Sequence, residues 1–271
     1  MTDVWRFFGI DCHDAYMNMA IDESISSTKI DSGTPDTIRF YRWQPSAVSI
    51  GYFQISEQEA NLEACAALNI DLVRRITGGG AVYHDYAGEL TYSLIVDESN
   101  AKIPKDIARS YEVICLGIVE GLKTLGINAV FKPINDITVN GRKISGNAQT
   151  RRWGVVLQHG TILVDTDINT MFKVLRVSKE KISDKQIKAA EERVTTIKRE
   201  LGRAVTFAEV ASALRIGFEK ALDVNLAHQP LTDRELSLAL KLKEAKFKSR
   251  EWNLGRPSQY EPQSGVLSSG L

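Results

Sequence analysis

The chain has 271 residues, 43% hydrophobic and 25% charged, an ordinary globular composition with ample material for one large core. Lysine plus arginine balances aspartate plus glutamate at 34 each, so no global field selects nucleic acid or an anionic membrane. Any site for an anion must therefore be local.

In chain order, Asp14 to Thr28 carries Met17, Ala20, Ile21 and Ile25 at helical spacing and predicts an amphipathic helix. Alternation over Thr37 to Trp43 and Ala47 to Phe53 predicts two strands, with Pro45-Ser46 as the turn. Glu57 to Leu68 reads as a helix leading into a strand at Ile70 to Val73. The next strand is Glu89 to Val96, so the glycine-rich stretch between them is expected to join neighbouring strands. A long helix should span Ile107 to Leu125, ended by Gly126. Short strands follow at 129–131 and 137–139, and Asn140-Gly141 is a strong hairpin signal before Lys143-Ile144-Ser145. Val155 to Val164 is a further apolar strand. Beyond Asn169 the pattern turns helical and charged, with Ile182 to Glu192 read as a solvated helix or loop. Thr206 and Thr232 are N-cap candidates for helices at 207–221 and 233–246. The picture is an α+β fold with mixed, mainly antiparallel sheets and packed helices. Residues 1–255 form the domain, and 256–271 a Pro/Ser/Gly/Gln tail expected to be disordered.

No basic leader followed by an apolar stretch opens the chain, and no apolar run approaches the ~20 residues that cross a bilayer. Cys12, Cys65 and Cys115 are too few and scattered for a disulfide framework or zinc site. A cytoplasmic setting is the expectation.

The most informative segment is Arg74-Arg75-Ile76-Thr77-Gly78-Gly79-Gly80-Ala81-Val82-Tyr83-His84-Asp85. Glycine admits positive φ and lets a ligand approach the backbone, and N–H groups in such a turn can converge on an anion flanked by guanidinium groups. The plain alternative is a tight turn with surface arginines. Asn135 to Gln149 holds the hairpin, with Asn135-Asp136 entering one strand and Lys143 early in the next. Lys143 can hold a phosphate or carboxylate as a point charge, or be only a hairpin lysine. Asp136 could carry Mg2+ through oxygen ligands. His159, in Gln158-His159-Gly160-Thr161, reads as a hydrogen-bonded structural histidine before a catalyst, and His84 as a residue orienting the glycine loop. No P-loop, Rossmann glycine pattern or G-x-S-x-G elbow is present.

Taken together and in order, these segments resemble the lipoate–protein ligase family, within the group that includes octanoyltransferases and biotin–protein ligases. Asn18-Met19-Ala20-Ile21-Asp22-Glu23, Arg39-Phe40-Tyr41, Gly51-Tyr52-Phe53-Gln54, His159-Gly160-Thr161-Ile162-Leu163 and Glu251-Trp252-Asn253 extend the match across residues 5–255. The resemblance implies a biotin/lipoate ligase catalytic-domain-like fold around an acyl-adenylate cleft. It implies ATP, Mg2+ and lipoate as reactants, with lipoyl-AMP formed first. The acyl group would then pass to a lysine of a lipoyl domain of a 2-oxoacid dehydrogenase complex or of glycine-cleavage H protein. Lys143 would be the catalytic cation. Arg75, Gly78, Gly79, Gly80, Ala81, Val82, Tyr83, His84, Asn135, Asp136, Ala148 and His159 would contact the adenylate, with Asp136 on the metal.

Octanoyltransferases of this group are similar across the motifs but work through a cysteine thioester. Neither Phe131-Lys132-Pro133-Ile134 nor Leu175-Arg176-Val177-Ser178, where that cysteine falls in two branches, contains one. This tilts the expectation to an ATP-dependent ligase. Many such ligases carry a further small domain after the Glu251-Trp252-Asn253 region, so the chain resembles the catalytic half of two-part ligases and implies a small accessory subunit. The other readings are an octanoyl or lipoyl transferase using a carrier-bound or preactivated donor, and a non-catalytic lipoate-binding protein.

Overall fold

The computed structural model describes residues 3–176 and 192–255; the predicted tail and all but the last residue of Ile182 to Glu192 lie outside them. Eleven strands form two sheets among the described residues. The larger has the order β11-β1-β2-β6-β10-β9-β8-β7. Its strands are β1 (Asp3–His13), β2 (Thr37–Trp43), β6 (Glu89–Asp97), β7 (Val130–Lys132), β8 (Asp136–Val139), β9 (Arg142–Arg152), β10 (Val155–Leu163) and β11 (Val224–His228). The smaller sheet has β3 (Ala47–Ile50) between β4 (Asp71–Arg74) and β5 (Val82–His84). Pairing is antiparallel except β11–β1, β1–β2 and β3–β4, so the sheets are mixed as expected.

Alternation along β2 and β6 sorts the two faces of the large sheet. Ile38, Phe40, Leu90, Tyr92, Leu94 and Val96 face one core, covered by α4 (Ile107–Thr124) and α7 (Phe207–Leu222). Tyr41, Trp43 and Ile95 join a second core with α1 (Ala15–Ser32), α8 (Asp233–Leu242) and Trp252. The same second face carries buried Arg39, Thr91, Ser93 and His159, which is where the polar site is built.

Several expectations shift for identifiable reasons. Helix α1 runs past 28 to Ser32, capped by Asp14, whose side chain accepts from Met17 N, and ended by left-handed Gly33. The predicted 57–68 helix is two, α2 (Ser56–Glu59) and α3 (Leu62–Ala67). Extended Ala60 separates them, and the Asn61 side chain caps the second. The glycine loop does not join neighbouring strands: it leaves β4 and enters β5 on opposite sides of β3, and β6 belongs to the other sheet. Strand β1 escaped prediction because Arg6 interrupts its apolar run; its guanidinium is buried and donates to Glu235 Oε1 at 2.7 Å. Asn140 and Gly141 both have positive φ, as a type I′ hairpin requires.

Helices α4 and α7 cross at backbone contact. A Cβ on Gly217 would lie 2.2 Å from Gly117 O and 2.2 Å from Gly121 N, atoms that cannot yield. Gly217→Val should therefore destabilise the fold by at least ~1–3 kcal/mol, read as a lower urea midpoint. Gly9→Ala, with nothing within 4 Å of the new Cβ, should change stability by under about 0.5 kcal/mol.

Candidate active site

The site is a cavity of about 310 Å³ between the glycine loop, β9, β10 and α5 (Ile168–Val174). Its wall includes Arg75, Gly79, Gly80, Ala81, Val82, Tyr83, His84, Asn135, Lys143, Ala148 and His159. The triple-glycine bend and Lys143 thus share one cavity. Gly78 and Asp136, also named from the sequence, are not on the wall. The sequence reading missed Ser49, Trp43, Met171, Leu175 and Val194, which line the same space from segments without a glycine or charge signature.

The two arginines serve the loop itself. Arg75 Nη2 donates to Gly78 O and Gly80 O, both at 2.7 Å, and its Nε donates to Thr77 Oγ1 at 3.0 Å. Its Nη1 donates to Ser49 O and Ser49 Oγ, each at 3.2 Å. Burial lowers the guanidinium pKa to about 10. Arg74 donates to main-chain oxygens of Trp252, Tyr52, Gln54 and Gly255. Only Gly79 of the three glycines takes a positive φ, 91°, and its carbonyl lies so close to Gly51 that a Cβ there would sit 2.0 Å away. Among the described residues, the amide N–H groups of Gly78, Gly79 and Gly80 make no hydrogen bond, and Gly79 and Gly80 are on the wall.

Lys143 stands on β9 where the register shifts between Ile137 and Thr138, a bulge that turns it towards Asp136. Its Nζ is 2.7 Å from Asp136 Oδ1, with both side chains partly exposed. The Lys143 backbone is pinned from its other side too: its N–H donates to Arg193 O and its carbonyl accepts from Thr195 N, each at 2.8 Å. Among the described residues, no group of three or more His, Cys, Asp or Glu could hold a metal ion, and Asp136 spends one oxygen on Lys143.

Two histidines connect hydroxyls to carboxylates. Thr77 Oγ1 is 2.7 Å from His159 Nε2, and His159 Nδ1 is 3.3 Å from Asp22 Oδ2. Asp22 also accepts from Arg39 Nη1 and Ser93 Oγ, each at 2.8 Å, and from Tyr41 OH at 3.2 Å. Burial alone would raise the Asp22 pKa, but Arg39 and the His159 and Ser93 hydrogen bonds outweigh it, so the carboxyl sits below its ordinary value. The second chain is Ser49 Oγ to His84 Nε2 at 2.8 Å, then His84 Nδ1 to Glu89 Oε2 at 3.1 Å. Burial, helped by nearby Arg75, holds His84 well below its ordinary pKa, so its ring is neutral. Burial pushes Glu89 well above the ordinary carboxylate range, which the Thr91 hydrogen bond only partly offsets.

This geometry coincides with a family match. Residues 14–219 fit the model of the lipoyl protein ligase A/B catalytic domain. The chain belongs to that family. The octanoyltransferase LipM of Brevibacillus brevis is 36% identical, over 93% of this chain and 99% of its own. That of Geobacillus kaustophilus is 38% identical, over 94% and 99%. A bi-partite lipoate protein ligase from Thermoplasma acidophilum, solved in a study with its E2 lipoyl domain, is 34% identical with a TM-score of 0.82. It covers 93% of this chain and 97% of the ligase. A lipoate-protein ligase A bound with ATP is 31% identical with a TM-score of 0.79, over 93% and 98%.

The curated relatives overturn the expectation of an ATP-dependent lipoate ligase. They match this chain of the lipoyl ligase A/B family over nearly its whole length, and they are octanoyltransferases. The missing cysteine at two sequence positions was the ground for that expectation, and it concerns only where a nucleophile stands. No helix among the described residues is long and apolar enough to cross a membrane.

Replacing Asp22 with asparagine would leave Arg39 buried and uncompensated, a loss of about 3–5 kcal/mol in denaturant unfolding. The sign of the pH effect follows from the lowered pKa. The Asp22 contribution is full above the ordinary carboxylate value and is lost as pH falls through the folded-state pKa. Acid unfolding of Asp22→Asn should accordingly be shallower with pH than that of the parent.

Proposed function

We propose that the chain is an acyltransferase that moves an octanoyl-class acyl group from an activated carrier thioester to the ε-amine of a lysine on a lipoyl-domain acceptor. The observation that carries this reading is the shared cavity. Its wall combines apolar Leu163, Met171, Leu175 and Val194 with the glycine bend and Lys143, and Val194 is bridged to Lys143. An aliphatic chain suits the apolar side chains, and a carbonyl gaining negative charge suits the cation and the loop. About 310 Å³ is at the small end of the ~300–1,000 Å³ typical of ligand pockets, room enough for one medium-length acyl group. The near-full-length likeness to octanoyltransferases supports the same chemistry.

Lys143 offsets charge on the carbonyl oxygen as the tetrahedral intermediate forms, while Asp136 holds the ammonium in place until the donor arrives. Asn135 and Asn147 brace this corner: Asn147 Nδ2 donates to Asn135 O at 2.8 Å, and Tyr92 OH donates to Asn147 Oδ1 at 2.7 Å. Acceptors of this class are the lipoyl domains of 2-oxoacid dehydrogenases and the glycine-cleavage H protein. The reaction written here needs no ATP, no Mg2+ and no accessory subunit.

The test is mass spectrometry of a lipoyl domain incubated with the chain and an octanoylated acyl carrier protein, with nucleotide omitted. Octanoylation of one acceptor lysine is expected; an acceptor left unmodified by the thioester donor would sink the reading. Lys143→Ala should slow transfer by about 100- to 1000-fold. Because the Lys143–Asp136 pair is partly exposed, stability should change by less than about 1 kcal/mol.

A further inference from the structure

The ammonium of Lys143 rests on bare backbone. A Cβ on Gly146 would stand 2.6 Å from Lys143 Nζ and 3.7 Å from Asp136 Oδ1, so any side chain there would push the ammonium aside. Gly146 is the register partner of Asp136 across β8 and β9, and the residue after it is Asn147. Asn147 reaches back to the residue before Asp136. Its main-chain N–H and its Nδ2 both donate to Asn135 O, at 3.0 and 2.8 Å, and Asn135 Nδ2 donates to Asn147 O at 2.5 Å. These hydrogen bonds fix the main chain on both sides of the Lys143–Asp136 pair.

The Asn147 amide is oriented in turn from the core. Tyr92 OH donates to Asn147 Oδ1 at 2.7 Å and accepts from Gln158 Nε2 at 2.8 Å, and Gln158 Oε1 accepts from Gln149 Nε2 at 2.9 Å. The chain runs in one direction. With Gln158 donating to the Tyr92 oxygen, the Tyr92 proton goes to Asn147, which leaves Nδ2 as the side of the amide that faces Asn135. Burial holds the Tyr92 hydroxyl well above its ordinary pKa, so it remains a donor. Tyr92, Gln158 and Asn147 are all buried, where an amide turned against its partners is costly. The slot that receives Asn147 exists because position 160 is glycine. A Cβ there would stand 2.1 Å from Asn147 Oδ1 and 2.7 Å from Tyr92 Cε1.

We infer that Asn147, oriented by Tyr92 in the slot left by Gly160, is the positioning residue that sets where the Lys143 ammonium stands in the cavity. The inference rests on the acyl-transfer reading above, in which that ammonium meets the carbonyl oxygen. Neither Tyr92 nor Gln158 is on the cavity wall, so both act through Asn147. A donor lowers a barrier only when it is held where charge will develop, and a lysine ammonium on its flexible four-carbon stem takes a fixed place only from its surroundings. Here Gly146 makes the room, Asp136 holds the charge, and the Asn147–Asn135 clamp keeps both in register.

Two measurements on the full chain test this. In the first, octanoyl transfer from octanoylated acyl carrier protein to a lipoyl domain is followed in single and double variants. Tyr92→Phe keeps the ring and should unfold cooperatively in urea, while kcat falls by at least about 10-fold and KM for the donor stays within about 2-fold. Asn147→Leu, close in volume but with no donor or acceptor, should also lower kcat by at least about 10-fold and serves if Tyr92→Phe fails to fold. Placed in Lys143→Ala, Tyr92→Phe should cost less than about 2-fold further, because the group it places is gone. In the second, the chain is treated with acetic anhydride, and acetylation of Lys143 is read by peptide mass spectrometry. Loosened from Asp136, Lys143 should acetylate at least about 3-fold faster in Tyr92→Phe than in the parent. A parental kcat in either single variant, an equal loss with and without Lys143, or unchanged acetylation of Lys143 would each overturn the assignment. Faster acetylation of Lys143 in Tyr92→Phe, from a parent that octanoylates no acceptor, would leave the placement standing and remove the acyl-transfer reading instead.

Discussion

Two buried guanidinium groups with no carboxylate partner among the described residues set the shape of everything around the cavity. Arg74 and Arg75 satisfy their donors on neutral oxygens, most of them main-chain carbonyls of the loops they hold and the rest hydroxyls of Ser49, Ser56 and Thr77. A buried charge is costly unless every donor is paired, so these contacts are coupled: losing one carbonyl strands the rest. The outcome is directional. With the carbonyls of Gly78 and Gly80 drawn to Arg75, their amides have no hydrogen-bond partner among the described residues. A motif that looks like a cationic anion site is a scaffold that presents dipoles. Trp252 and Asn253 close the arrangement from the far end of the chain, since Trp252 Nε1 donates to Arg74 O and Asn253 Oδ1 accepts from Arg74 N, each at 2.8 Å.

The two histidine chains both tie the small sheet to the large one. His159 ties Thr77, at the base of the glycine loop, to Asp22 on α1 and thereby to Arg39 and Ser93 on the large sheet. That network joins the two sheets through a helix and has no slack for a reaction cycle. His84 sits between sheet and cavity, and burial together with nearby Arg75 keeps its ring neutral. Of the two hydroxyls, Ser49 lines the cavity and Thr77 does not.

Much of this was legible in the residues. Most strands from 37 to 164, the I′ hairpin and the capped helices follow from periodicity and turn chemistry, though β5 and most of β9 do not, and the glycine, hairpin and His-Gly segments do converge on one cavity. What escaped shares a cause. Ser49 and Trp43 belong to strands whose local pattern is that of ordinary core, and only the pairing of β3 with β5 and the stacking on His84 make them part of the site. Met171, Leu175 and Val194 come from segments distant in sequence, which no local window connects. Arg6 hid β1 because its charge is cancelled by Glu235, more than two hundred residues away. Arg75 was read as reaching outwards because nothing in its neighbours reveals the carbonyls that would claim it.

A chain with no net charge can still serve a reaction that develops negative charge, and the pairing of Lys143 shows how. With Asp136 at 2.7 Å, the ammonium contributes little net field to the empty cavity, so an uncharged acyl chain enters without displacing a tightly held counter-ion. Charge appears only as the carbonyl is attacked. In the role proposed for Lys143, a shift of the ammonium away from Asp136 at that moment, together with the glycine amides, would offer stabilisation that the ground state does not receive. This is the differential binding that lowers a barrier rather than merely tightening a complex. It also explains why the partner of Lys143 is a half-exposed carboxylate and not a buried one. A deeply buried pair would cost too much to separate within each turnover, whereas water can take over the carboxylate of Asp136 as the lysine turns to the substrate.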